Sequence, residues 1–157
     1  MIQRKQSIFL LLATLCGALT FFFPIETFTQ DVRSFIFSTS GLFQADGQPI
    51  VDASPKLPFS FLFAFFSLVM LVAIMLFKDR KRQLLVVRTA NLLLIGTTVF
   101  LFITSNSVRA YLEQGGRVNS QFGPSALLPL AMIVFAFLAE RAIRKDEALV
   151  RSADRLR

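Results

Sequence analysis

Four polar side chains interrupt the third apolar segment of the sequence: Arg88, Asn91, Thr98 and Ser105. Their spacings of three and seven residues place them near one face of an α-helix. Such a polar seam could line a permeation path or hold a ligand inside a membrane. The alternative is structural, because Asn and Thr bond to neighbouring helices and Arg88 can extend to the lipid headgroups. We favour the structural interpretation and predict an interhelix seam at Arg88, Asn91 and Thr98.

The side chains that most enzymes use for catalysis are scarce. The sequence has no histidine and one cysteine, Cys16. This excludes His-based acid–base catalysis, His-containing zinc sites, haem ligation through imidazole and an intrachain disulfide relay. No acidic residue lies deep in an apolar segment, so the usual marker of a proton-coupled carrier is missing. We therefore expect no enzymatic activity, no catalytic residue, no metal site and no cofactor.

The last seventeen residues, RAIRKDEALVRSADRLR, are rich in charge. Glu140 and Arg144, like Glu147 and Arg151, are four residues apart with the acid first, an order that supports a helix. The interleaved acids would repel the phosphates of a nucleic acid. Anionic headgroups, in contrast, attract each nearby basic side chain by about 1 kcal/mol. The residues predicted to contact a protein partner or anionic lipid are Arg144, Lys145, Arg151, Arg155 and Arg157.

The composition indicates that these side chains belong to a bilayer protein. Only 17% of residues are charged and 54% are hydrophobic, whereas about 25% are charged in soluble domains. The apolar residues occur in blocks, and a membrane-spanning helix needs about 20 residues. The start also resembles an export signal, but its apolar run continues through Phe23, which favours a span. The predicted spans cover residues of about 7–25, 58–77, 84–104 and 123–140.

The basic residues of the short connections predict the orientation. Most of the 17 basic residues fall on the side that holds both termini and the KDRKRQ turn; the exceptions are Arg33, Lys56, Arg109 and Arg117. This side is predicted to be the cytoplasm. The predicted fold is an all-α membrane protein with four transmembrane helices in two antiparallel hairpins. Residues 141–157 are expected to continue the fourth helix into the cytoplasm.

A small extracytoplasmic cap is predicted from the two longer connections, residues 26–57 and 105–122. The first has β-prone runs on both sides of an Asp46-Gly47 turn, which is typical of a β-hairpin. The second contains Gly115-Gly116, another turn signal. We expect a β-hairpin cap in which strands from the two connections can pair.

Small residues indicate where the predicted helices approach closely. Ala13 and Gly17 are four residues apart in the first span, and Gly96 lies in the third. Small side chains allow the backbones of membrane helices to pack at short distance. We interpret all three as packing positions.

Three stretches resemble a known family: MIQRKQSIFLLLA at the start, FKDRKRQ followed by RTANLLL, and LAERAIRKDEALVRSADRLR at the end. They are similar to small four-span inner-membrane proteins of Gram-negative bacteria that are catalogued as a domain of unknown function. The resemblance covers essentially the whole chain, and the ending is its most specific part. It implies a multi-pass architecture in the bacterial inner membrane, and it transfers no catalytic residue. It also suggests that the tail does more than fix the topology.

Two functional hypotheses follow from these observations. The first is a non-enzymatic accessory or scaffold subunit that docks in a membrane complex and contacts a protein partner through its charged C-terminal helix. The second is a small oligomeric transporter or channel whose path includes the seam on the third helix; a homo-oligomer is compatible with either. The environment of Asn91 distinguishes them, because packing against a helix favours a scaffold and a wet cavity favours transport.

Overall fold

The structure is a computed structural model that describes residues 3–30, 33–50 and 57–155. This part of the chain forms four α-helices and four β-strands. Two 3₁₀ turns, Leu76–Lys78 and Pro124–Ala126, follow the second helix and precede the fourth. The helices are α1 (Gln3–Leu19), α2 (Phe59–Met75), α3 (Arg80–Glu113) and α4 (Leu128–Arg155). The strands are β1 (Glu26–Gln30), β2 (Arg33–Ser38), β3 (Gly41–Gln44) and β4 (Asn119–Phe122).

The helices pack side by side, with α1 and α3 each contacting both α2 and α4. The end of α1 lies beside the start of α4, because the Ser125 hydroxyl donates to the Thr20 carbonyl at 3.3 Å. The start of α3 lies beside the last turns of α4, where Arg80 donates to the Asp146 carbonyl at 3.3 Å. The helices therefore alternate in direction. The sheet lies at one end, and the α2–α3 turn lies at the other.

The sequence of α3 explains how one helix can face both a packed interior and an apolar exterior. Val87, Leu94 and Leu101 recur every seven residues and are fully buried. This spacing keeps one stripe of a helix against its neighbours. Leu85 and Leu92 lie off the stripe and are 65% and 63% exposed. A long helix with apolar residues on its outer surface is typical of a protein surrounded by lipid.

Within the described residues, three helical segments are long and apolar enough to cross a membrane: Phe59–Lys78, Arg80–Glu113 and Pro124–Val150. The 17 residues of α1 reach about 26 Å, compared with a hydrocarbon thickness of roughly 30 Å. This helix ends before the predicted limit at residue 25, because residues 20–23 form turns and Pro24 cannot donate a backbone hydrogen bond.

The third and fourth helices are longer than the predicted spans. The 34 residues of α3 extend about 51 Å and include residues 105–113, which were expected in a loop. The 28 residues of α4 extend about 42 Å and include most of the segment predicted as a helical tail.

The strands form one antiparallel sheet in the order β3-β2-β1-β4. Phe28 of β1 pairs with Phe35 of β2 on one side and with Ser120 of β4 on the other. Strands from the two connections do pair, a possibility that the sequence had indicated, because β1 lies beside β4. Phe28 and Phe37 are fully buried, as are Phe59 and Phe63 of α2.

The sheet corrects the expectation of an all-α fold with a single hairpin cap. Asp46-Gly47 does form a turn, since the Gly47 amide donates to the Gln44 carbonyl at 2.8 Å and Gly47 has φ of 79°. After this turn the chain returns along β3. The Gln44 amide donates to the Gln48 carbonyl and the Ile50 amide donates to the Leu42 carbonyl, both at 2.9 Å, beside a bridge between Phe43 and Pro49. The β2–β3 connection turns at residues 39–40. The Asp46-Gly47 turn therefore reverses the chain onto β3 as predicted, although one side contributes only a single bridge, and the β2–β3 turn forms a further hairpin that was not predicted.

Candidate functional site

The predicted polar seam is buried along most of its length. Asn91, Thr98 and Ser105 are 6%, 2% and 2% exposed and lie on the interior face of α3. Their polar groups have separate environments. The Thr98 hydroxyl donates to the carbonyl of Leu94 in its own helix at 2.8 Å, and the Ser105 hydroxyl donates to the Glu26 carboxylate. Asn91 Oδ1 has no hydrogen-bond partner among the described residues.

Arg88 lies apart from these three residues, with 63% of its side chain exposed. Its Nε is 4.0 Å from an oxygen of Glu140, a residue that is only 8% exposed. The same carboxylate accepts a hydrogen bond from Arg144, one turn later in α4. Glu140 thus joins a residue of the predicted seam to one of the predicted tail contacts. Both arginine side chains are more than half exposed, whereas the Glu140 side chain that they share is only 11% exposed.

Two buried glutamines near this end of the helices have incompletely satisfied amides. Gln6 and Gln83 are both fully buried. Gln83 Nε2 donates to the Ala73 carbonyl at 2.9 Å and thereby ties α3 to α2. Among the described residues, neither Gln83 Oε1 nor either amide atom of Gln6 has a hydrogen-bond partner. Buried polar groups without partners are costly, so these two amides are expected to lower the stability of the folded protein.

Helix geometry places the two glutamines at a similar depth. A Cβ on Gly17 would lie 3.2 Å from the sulfur of Met132, so these residues of α1 and α4 lie at the same height along the helix axes. Gln6 lies about 17 Å from Gly17 along α1, and Ile143 lies the same distance from Met132 along α4. Gln83 is also near that level, because it lies between Arg80 and Arg88, which contact α4 on either side of Ile143.

The sequence indicates that Gln6 is buried, although the first span predicted from hydrophobicity begins only at residue 7. Gln6 precedes Leu10, Ala13 and Gly17 at the alternating four- and three-residue spacing of one helix face. All four residues are buried. A glutamine that continues such a face by one turn is predicted to be internal, although it lies beside Lys5 in a charged stretch.

Glu26 is a second polar residue that the sequence reasoning missed. It is the first residue of β1, is 3% exposed and accepts the hydrogen bond from Ser105. Because it follows the predicted first span directly, it was counted as part of a loop. The contact attaches β1, one of the two inner strands of the sheet, to α3. Burial of this carboxylate is stabilised by a donor that only the tertiary fold brings near.

The basic residues of the predicted tail are distributed along α4. Arg144 and Lys145 are exposed, whereas Ile143 and Asp146 on the adjacent face are buried. Arg151 and Arg155 lie in the last turns of α4, and Arg157 lies outside the described residues. The structure therefore places two of the five predicted contact residues on an exposed helix surface.

Metal binding has no candidate constellation in the part of the chain that the structure describes. No three acidic or cysteine side chains are close enough there to hold an ion. Cys16, a free thiol, is half-buried in α1.

Comparison with known proteins agrees with the resemblance found in the sequence. No curated protein matches the chain. Residues 2–156 match the model of the family described as "Domain of unknown function (DUF4293)". Because this match covers nearly the whole sequence, the chain belongs to the DUF4293 family.

Proposed function

We propose that the protein crosses the bacterial inner membrane four times, with both termini in the cytoplasm and the sheet outside. Large apolar side chains on the outer surface support lipid contact: Phe22, Met75 and Leu127 are 78%, 74% and 68% exposed. Three of the crossings correspond to the segments that are long and apolar enough by themselves. For the fourth, α1 is lengthened by the exposed rings that follow it, and the small remaining mismatch is accommodated by local thinning of the bilayer.

The distribution of charge supports this orientation. Residues 58–77, which include α2, carry no charge and extend about 30 Å, the thickness of the hydrocarbon core. Arg80, Lys81 and Arg82 lie on one side of this segment, together with Lys78. The side with the excess of basic residues is the cytoplasmic side of most membrane proteins.

For the molecular role, we propose a non-enzymatic accessory subunit that binds a protein partner in a membrane complex through the cytoplasmic part of α4. The observation that carries this proposal is the continuity of α4 from Glu140 to Arg155, about 24 Å beyond its uncharged segment. Ile143 and Asp146 pack this part against the other helices. Arg144, Lys145 and the 44% exposed Val150 face outward, and such a mixed basic and apolar surface suits a protein partner.

The alternative role, a small oligomeric transporter or channel, is less well supported by the interior of α3. Transport through the seam requires a polar path that reaches Asn91 and Thr98. Asn91 is 6% exposed, and the Thr98 hydroxyl is bonded to its own helix. Burial of this kind favours packing between helices. The unpartnered Asn91 oxygen is the feature that a transport function would use.

Co-purification from native membranes in a mild detergent tests the proposed role. We expect a stoichiometric protein partner with the full chain and its loss when residues 144–157 are deleted. The matched control is Lys78→Gln with Lys81→Gln, which removes basic side chains from the same end of the molecule but leaves α4 intact. This variant should retain the partner. A chain that purifies without a stoichiometric partner, or that keeps it after the deletion, contradicts the proposal.

A further inference from the structure

A cavity of about 660 Å³, widely open to the surface, lies between the α2–α3 turn and the last turns of α4. One wall is a continuous stretch of the turn, and the other comes from two residues one helical turn apart in α4. The lining residues are Phe77, Lys78, Asp79, Arg80, Lys81, Glu147 and Val150.

The charge of this cavity favours an anion. Three basic side chains line it, and two of them, Lys78 and Lys81, are exposed. One of its two acids, Asp79, is 3.0 Å from Arg82 and forms an ion pair with it. The second acid, Glu147, offsets one further positive charge. The remaining excess of positive charge matches a phosphate monoester or diester.

The backbone adds donors to the same place. Asp79 caps α3, because its side chain accepts from the Arg82 amide at 3.3 Å and its carbonyl accepts from the Gln83 amide at 2.9 Å. The first amides of a helix have no acceptor within the helix, which leaves those of Arg80 and Lys81 available to an anion. Arg80 is also held in position by its bond to the Asp146 carbonyl. The cationic wall is thus partly ordered before any ligand binds.

The position of the cavity indicates the source of the phosphate. Phe77 is the last residue of an uncharged run that begins at Leu57, and Lys78 is the first charge after it. In the proposed orientation, Phe77 and the 74% exposed Met75 meet acyl chains. The side chains of Lys78 and Lys81 then lie in the headgroup layer, which adds about 5–7 Å on each side of the hydrocarbon core. A ligand there can place its phosphate on the basic wall and its tails beside Phe77.

We propose that this cavity binds the headgroup phosphate of an anionic phospholipid from the cytoplasmic leaflet. Lys78 and Lys81 supply the charge, the first amides of α3 supply hydrogen bonds, and Phe77 and Val150 contact the start of the acyl chains. The proposal rests on the membrane-spanning arrangement proposed above, but it does not require a protein partner.

Titration of the purified full chain with phosphatidylglycerol in a neutral detergent, followed by native mass spectrometry, tests the site. We expect one lipid to bind more tightly than the others and more tightly than phosphatidylcholine. Lys78→Gln with Lys81→Gln should weaken this first step by about 30-fold, the equivalent of about 2 kcal/mol for two basic side chains near a lipid surface. The matched control, Lys5→Gln with Arg141→Gln, removes two exposed basic residues outside the cavity and should change the affinity by less than about threefold.

Several results would overturn the site. Equal losses in the two double variants would indicate diffuse attraction to the basic end of the molecule. Equal affinity for phosphatidylcholine would remove the role of headgroup charge. If inorganic phosphate or glycerol phosphate bound as tightly as phosphatidylglycerol, the ligand would be a soluble phosphate and not a lipid. Because the titration uses the purified chain, its failure is distinguishable from a failure to find a protein partner.

Discussion

Gly17 lies where α1 approaches both of its neighbours. A Cβ at this position would overlap the Ser67 hydroxyl of α2 and lie 3.2 Å from the Met132 sulfur of α4. At Gly96, no atom of the described residues lies within 4 Å of the corresponding point, and the residue is exposed on α3. The interpretation of Gly17 as a position of close approach is therefore confirmed, and that of Gly96 is wrong. Helix spacing distinguishes them, because Gly17 continues the face of Ala13, whereas Gly96 lies off the face that carries Asn91 and Thr98.

Substitution Gly17→Ala should destabilise the protein by about 1–3 kcal/mol, because the added methyl group overpacks the interface. This corresponds to a fall in the melting temperature in detergent micelles of roughly 2–4 °C per kcal/mol. Adding Ser67→Ala should restore most of the loss, because it removes the hydroxyl that the methyl group meets. Gly96→Ala is the control, and we expect it to be neutral or slightly stabilising. Equal effects at the two glycines would refute the close approach at Gly17.

Gln6→Met should raise the stability, although it removes a polar group. The side chains have similar volumes, and a buried amide without partners costs about 1–3 kcal/mol. We therefore expect a higher melting temperature for Gln6→Met than for the unmodified chain in the same detergent. Gln114→Met, at an exposed position after α3, should change the stability by less than about 0.5 kcal/mol. A marked loss of stability in Gln6→Met would indicate that the Gln6 amide is satisfied in the folded protein.

The helices were predictable to the extent that hydropathy alone determines them. The uncharged run of α2 gave bounds of 58–77, close to the observed helix and 3₁₀ turn. The end of α3 was missed because Asn106 and Arg109 are polar and exposed, while Val108 and Leu112 continue the buried stripe. A hydropathy average combines the buried and the exposed face of a helix, whereas packing depends on the buried face alone. Strands β1 and β4 are far apart in the sequence and meet only because the helices between them fold back. The sequence could therefore indicate that they can pair but not that they do.

The Ser105–Glu26 hydrogen bond connects the helical and β elements, and its loss should be measurable. Ser105→Ala removes the donor from a buried carboxylate, so we expect a destabilisation of about 1–3 kcal/mol. Ser107→Ala is a matched control, because the Ser107 hydroxyl is exposed and donates to Ile103 of the same helix at 2.9 Å. It should cost less than about 0.5 kcal/mol. If the two variants melted alike in detergent, the bond would not contribute to attaching the sheet to α3.

At the scale of the whole molecule, the sheet and most of the basic residues lie at opposite ends of the helices. The Thr39 carbonyl accepts from the Ser60 amide at 3.0 Å, and the Leu112 carbonyl accepts from Gln30 at 3.2 Å. These bonds fix the sheet against the start of α2 and the end of α3. A single orientation in the membrane therefore assigns the whole sheet to one side. The redox state of cysteines introduced into it reports which side that is, because disulfides form in the periplasm and are rare in the cytosol.

Cysteines at Thr29 and Asn119 provide this test in a Cys16→Ala background. The two residues are register partners in β1 and β4, and both are exposed. Directly opposed Cβ atoms in antiparallel strands are about 4.5–5.5 Å apart, a separation that a disulfide can close with a small adjustment. We expect the bond to form in growing cells, as measured by thiol labelling with and without reductant. In the control pair, Thr29→Cys with Ser120→Cys, the side chains point to opposite faces of the sheet and should stay reduced. The Thr29–Asn119 pair could instead stay reduced in cells and form the disulfide only when an oxidant is added to isolated membranes. That result would support the β1–β4 register but reverse the proposed orientation, because the cytoplasm keeps thiols reduced.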